Sequence, residues 1–185
     1  MRWLLLFCGA LAIGCAATPP ANWARGGANL EIPRARYIKG ELMIDVVPDG
    51  RVLLNGEHEL TIDRAGRVYD PEGGSIALLE PDGRLIGADN VALGIVGALH
   101  ASRPDDAYAW LSVLPVGEVI RYDEEGERTT FGVWMGCGYS PRANQVCTLI
   151  AHMLGMGIRI REPQQTRPGQ GVSTGGVGIG LPIGR

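Results

Sequence analysis

The chain has 185 residues, a net charge of −3, 45% hydrophobic residues and 20% charged ones, enough for one domain with a sizeable core. Its basic residues are scattered arginines plus the single Lys39, so no basic patch exists to hold nucleic acid. Four cysteines and three histidines leave little material for metal or redox chemistry.

The first element is a leader. Arg2 is followed by an apolar run from Trp3 to Ile13 and then by small residues, the layout of a secretory signal peptide over 1–14. The run is shorter than the about 20 residues that a membrane-spanning helix needs. Leu11-Ala12-Ile13-Gly14-Cys15 resembles the lipobox of bacterial lipoproteins. That resemblance implies acylation of Cys15 as the new first residue, and Ala16 behind it implies transfer to the outer membrane. Two acyl chains make such attachment stable, at about 0.8 kcal/mol per buried methylene. The residues leave a second cleavage open, after Cys15-Ala16-Ala17, which discards the thiol.

Residues 15–36 carry Pro19, Pro20, Gly26, Gly27 and Pro33 without periodicity and are read as a lipidated tether. Trp23 is expected to pack on the domain. From 37 to 162 the chain is read as one antiparallel β domain. The runs ELMIDVV, RVLL, HELTID, RVYD, SIALLE, RLIG, AYAWLSVL, EVIRYD and RTTFGVW alternate in polarity between turn residues. They predict a mainly β fold of eight to eleven short strands: an antiparallel meander, as sandwich, barrel or curved sheet, with one C-terminal α-helix.

Four turns share a layout: Val47-Pro48-Asp49-Gly50-Arg51, Asp63-Arg64-Ala65-Gly66-Arg67, Glu80-Pro81-Asp82-Gly83-Arg84 and Asp123-Glu124-Glu125-Gly126-Glu127. Each puts glycine where a three-residue hairpin loop needs positive φ. Asp63 with Arg67 and Glu80 with Arg84 are placed to form ion pairs. Asn55-Gly56 predicts a two-residue hairpin turn. Arg121-Tyr122-Asp123 before Gly126, and Asp63 before Gly66-Arg67, resemble the YD-type hairpin repeats of large bacterial surface and toxin-delivery shells. The likeness covers the turn core and implies hairpins, with no function attached. In 87–104 the alternation of Val91, Leu93 and Ile95 predicts a buried strand.

Ser140-Pro141 opens a helix and Gly155 ends it, predicting about 141–154. Ala143, Val146, Cys147, Ile150 and Leu154 fall on its inner face; Arg142, Gln145 and His152 fall opposite, where His152 is expected to be solvated. Cys137 and Cys147, ten positions apart in an exported chain, predict a disulfide fastening helix to sheet. The competing zinc reading, with His152 as third ligand, lacks a fourth ligand. Residues 163–185 form a Gly/Pro-rich tail.

No HExxH, GxSxG, Walker A or CxxC motif is present, and nothing calls for a cofactor. His58 reads as a strand-surface residue. His100 with Asp105 or Asp106 is the one candidate His-Asp pair, lacking a nucleophile. Glu124-Glu125 and Asp105-Asp106 read as solvated turn acids, since no turn has the DxDxDG layout of a calcium loop. Tyr108, Trp110, Tyr122, Phe131 and Trp134 read as packing residues, with Tyr108 and Trp110 sharing a face that suits carbohydrate or peptide. The expected protein is therefore an outer-membrane lipoprotein with a non-catalytic binding or structural role. It is held to the membrane by its lipid, has an envelope protein or glycan as partner, and makes no nucleic-acid contact. The alternative is a periplasmic hydrolase using His100.

Overall fold

The computed structural model of the protein describes residues 18–160, so the leader, Cys15 and the 163–185 tail lie outside the described residues. Twelve antiparallel strands follow one another: β1 (Ala35–Lys39), β2 (Leu42–Val46), β3 (Arg51–Leu54), β4 (Glu57–Ile62), β5 (Arg67–Tyr69) and β6 (Ser75–Leu79), then β7 (Arg84–Gly87), β8 (Ala92–Val96), β9 (His100–Ser102), β10 (Leu111–Val113), β11 (Glu118–Tyr122) and β12 (Arg128–Met135). Each pairs with the next, and β1 pairs with β12 through Arg36–Met135, Tyr37–Trp134 and Ile38–Val133, which closes a barrel. The mainly β meander is thus a barrel, with more strands than the eight to eleven expected.

A closed wall of this size has an interior to fill. Twelve strands spaced about 4.8 Å apart make a ring about 18 Å across before strand tilt widens it. Side chains fill a barrel of about eight strands but not this one. The helix α1 (Pro141–Gly155) supplies the missing volume. Ser140 caps it by accepting the Ala143 N–H at 3.1 Å, as its Ser-Pro start predicts. Between Ala143 and Leu154 every residue except Gln145 is buried, the mark of a helix enclosed on all sides.

The contacts of α1 trace its path from one rim of the barrel to the other. It enters where the β8–β9 turn lies: Asn144 Nδ2 donates to Ala98 O (2.6 Å) and Val113 O (3.1 Å), and Gln145 Nε2 donates to Val96 O (2.9 Å). It leaves at the opposite rim, where Arg159 pairs with Asp70 in the β5–β6 turn at 3.2 Å. Fifteen helical residues span about 22 Å, more than the about 17 Å of a five-residue strand. Inward side chains of the wall, among them Tyr37, Ile44, Leu60, Leu79 and Trp134, join Leu149, Ile150 and Met153 of α1 in one core.

The rim where the helix enters carries four tight turns with a shared construction. Asp63 N donates to Arg67 O and Gly66 N to Asp63 O; the same pair of bonds recurs at 47–51, 80–84 and 114–118. The copy Leu114-Pro115-Val116-Gly117-Glu118 escaped sequence reading because no acid precedes its glycine. Each turn glycine also joins the next hairpin: Gly50, Gly66, Gly83 and Gly117 O accept from Ile62, Leu79, Val96 and Trp134 N at 2.7–2.8 Å. The expected ion pairs form, Asp63–Arg67 at 2.9 Å and Glu80–Arg84 at 2.7 Å. The 123–127 turn has the same bonds but lies on the opposite, exit rim, as does the unforeseen copy at 70–74.

The disulfide Cys137–Cys147 is present, with Cα atoms 6.2 Å apart, and ties the end of β12 to the first turns of α1. The segment read as a tether is hydrogen-bonded over its described part. Thr18 N donates to Asp89 Oδ1 at 3.0 Å, Asp89 N returns a bond to Thr18 O at 2.8 Å, and Ala21 N donates to Asn90 Oδ1 at 2.8 Å. Trp23 then packs edge-on against Tyr69 at 5.0 Å, Arg67 Nε donates to Trp23 O at 2.7 Å, and Ala28 N donates to Leu79 O at 2.7 Å. This strap covers the outward-facing Leu78, which is fully buried, and ends with Leu30 in the core at the entry rim.

Two expectations are corrected inside the wall. In β8 it is Gly94 and Val96 that are buried, while Val91 and Ile95 are exposed. Gly94 has φ of +118°, and a Cβ there would stand 2.2 Å from Ser102 O of β9 and 3.1 Å from the His152 ring, so only glycine fits between the neighbouring strand and the helix. His152 is not solvated but wholly buried. Asn144, Thr148 and His152 form a polar stripe at helical spacing, and each bonds to a carbonyl of the β8–β10 arc. The stripe satisfies backbone groups where that part of the ladder is thin.

Candidate functional site

The exit rim gathers the turns and loops joining β1–β2, β3–β4, β5–β6, β7–β8, β9–β10 and β11–β12. The longest of these connections is 103–110, between β9 and β10. Pro104 and a left-handed Asp105 (φ +64°) keep it out of the sheet, so the strand expected over AYAWLSVL begins only at Leu111. Between this loop and the 123–127 turn lies a cleft of about 620 Å³.

Tyr108 and Trp110, expected on one face, part company here. Both line the cleft, but Tyr108 is 85% exposed, whereas Trp110 is 4% exposed and turns into the barrel mouth. Trp110 Nε1 donates to His152 Nδ1 at 2.9 Å, which leaves His152 Nε2 to donate to Leu93 O at 2.7 Å. That pattern requires neutral imidazole. Burial pushes the His152 pKa below its ordinary value; the Leu93 carbonyl opposes this and the Arg103 charge reinforces it.

Cations and aromatic rings alternate around Trp110. Arg103 lies 4.7 Å from its ring centre and Arg121 5.4 Å; Arg121 is 4.8 Å and Lys39 3.9 Å from the ring of Phe131. Among the described residues neither arginine has a carboxylate in ion-pair range. The cleft itself is lined by Asp106, Asp123, Glu124 and Glu125 against the one cation Arg103. Carboxylates accept hydrogen bonds, Arg103 donates them, and Tyr108 offers an uncovered ring face. Such a surface suits a polyhydroxylated ligand with an apolar ring face.

The predicted histidines are placed elsewhere. His58 is half-buried, with Nε2 2.9 Å from Thr61 Oγ1. His100 faces outward with Nδ1 2.8 Å from the buried Ser112 Oγ, which donates to Tyr122 OH at 3.3 Å. Among the described residues His100 bonds to neither Asp105 nor Asp106; Asp106 lines the cleft and His100 does not. Cys137 and Cys147 are bonded to each other, which removes both sulfurs from the zinc alternative. No group of three or more His, Cys, Asp or Glu among the described residues is arranged to hold a metal ion.

The cleft residues that sequence reading missed are Arg103 and the pairing of Asp106 with Glu124-Glu125 across two connections. Each acid pair was visible, but nothing in the sequence brings residues 106 and 124 together before the barrel is known. Comparison with known proteins found no matching family model, no matching curated protein and no matching solved structure.

Proposed function

We propose that this is an exported, lipid-anchored cell-envelope protein whose role is non-catalytic binding, exerted through the exit-rim cleft. One observation carries the binding part. Helix and side chains fill the barrel from rim to rim, while the cleft presents acids, Arg103 and the bare ring of Tyr108 to solvent. Its volume falls in the range of small-ligand sites, about 300–1,000 Å³. An envelope glycan fits this chemistry: sugar hydroxyls donate to the carboxylates, and a sugar face stacks on Tyr108.

Export is supported by the Cys137–Cys147 bond, since structural disulfides persist in oxidising compartments. Acylation of Cys15 and delivery to the outer membrane belong to the same proposal. The test is titration of the mature protein with soluble envelope-glycan fragments, followed by NMR line shifts. Binding should weaken about tenfold in Tyr108→Ala and fall in Glu125→Gln. Binding indifferent to both substitutions, or turnover of the fragments, would overturn the reading.

A further inference from the structure

We infer that the exit rim is the face the barrel turns toward the bilayer, resting on a headgroup layer of zwitterionic phospholipid. The inference rests on acylation of Cys15, proposed above, and adds an orientation to it.

The argument starts from the length of the leash. Thr18 is pinned to the 88–90 turn of the exit rim by bonds in both directions with Asp89, and Ala21 is pinned to Asn90. Only Ala16 and Ala17 separate Thr18 from Cys15. Three Cα steps reach at most about 11 Å. The entry rim lies the length of α1 away, about 22 Å. An acyl chain on so short a leash holds the exit rim to the membrane and keeps the entry rim off it.

The side chains at that rim suit the position. Val91, next to the pinned turn, is 56% exposed, and Tyr108 projects from the same rim. An aliphatic residue and an amphipathic ring are groups that settle at headgroup depth. The charge selects the lipid. Asp105, Asp106, Asp123, Glu124, Glu125 and Glu127 have no ion-pair partner among the described residues. They outnumber the rim cations Arg103, Arg121 and Arg128, so on balance the rim opposes an anionic surface and accepts the ammonium ends of zwitterionic headgroups. The cleft opens on this rim, so its ligand is met at the membrane surface.

The test uses the full acylated chain in lipid nanodiscs, with an environment-sensitive fluorophore placed in turn on Val91→Cys, Tyr108→Cys and, at the entry rim, Val116→Cys. Val116 is 80% exposed and serves as the distant reference. Brominated lipid should quench the Val91 and Tyr108 positions at least about twofold more than the Val116 position. Replacing one third of the lipid by an anionic one should reduce quenching at Tyr108→Cys. Equal quenching at all three sites, or stronger quenching at Val116→Cys, on protein whose mass shows acyl chains on Cys15 would overturn the orientation alone. Stronger quenching on anionic lipid would overturn the choice of headgroup. A mature chain that begins beyond Cys15 would overturn the anchor and the orientation together.

Discussion

The two rims of the barrel are made from the same hairpin turn and put to different use. At the entry rim, Gly50, Gly66, Gly83 and Gly117 are each bonded to the following hairpin, and the acids of three turns lie against arginines in the same turn. The Arg51 and Arg84 backbone N–H groups hold the Asp49 and Asp82 carboxyls below their usual pKa. At the exit rim, Gly73 and Gly126 adopt the same left-handed backbone with nothing within 4 Å of where a Cβ would stand. The acids of the 123–127 turn face water or the cleft. The entry rim spends the acids of three turns on ion pairs within those turns; the exit rim uses Asp70 and Asp89 to hold α1 and the strap but leaves Glu124 and Glu125 available to bind.

A matched pair of substitutions tests this difference most strongly. Gly117 and Gly126 occupy equivalent places in equivalent turns, with φ of +94° and +81°. Gly126→Ala should cost about 1 kcal/mol, the ordinary penalty for a side chain at positive φ. In Gly117→Ala the new Cβ would stand 1.9 Å from Trp134 O, so the loss should reach at least about 3 kcal/mol, read by denaturant melts. Equal losses would erase the distinction between the rims.

The disulfide at the entry rim comes next. Replacing Cys137 and Cys147 together by alanine should lower stability by about 3 kcal/mol on the chain-entropy scale for a loop this short. The wild type measured in reductant should show the same loss.

A smaller effect sharpens the comparison from inside. His152 has a folded pKa below its unfolded value of about 6.5, so the unfolded chain binds the proton first. The stability contributed by neutral His152 is therefore complete above about pH 6.5 and is lost as pH falls toward the folded pKa. The loss approaches 1.4 kcal/mol per pH unit at most. Melts of His152→Gln should lack this slope between pH 7 and 5. The smallest effect belongs to the exit rim, where Glu124→Gln with Glu125→Gln should change stability by less than about 0.5 kcal/mol while weakening glycan binding.

Local chemistry made much of this architecture legible. Glycine at the fourth place of each turn, alternation in the strands, the Ser-Pro start of α1 and the Cys137–Cys147 pair all act over a few residues, and outside β8 and the start of β10 each appears as expected. What escaped depends on enclosure. Arg142, Gln145 and His152 share a helical face that reads as solvent-facing, because periodicity reports polarity and not what stands opposite. The helix lies inside a ring, so the polar stripe of Asn144, Thr148 and His152 meets strand carbonyls. The same enclosure exchanges the buried and exposed sets in β8. The cleft escaped for a related reason: its walls come from 103–110 and 122–126, which become neighbours only through the β9–β10–β11 pairing.

The position of α1 also governs the order of assembly. The last described element of the chain lies inside the ring against the β8–β10 arc, and β1 must still seal against β12 around it. A chain halted after Met135 possesses every stave yet has no filler, so its wall would collapse inward or stay open. Closure of the wall around a filled interior accordingly waits for α1, which follows all twelve strands in the chain.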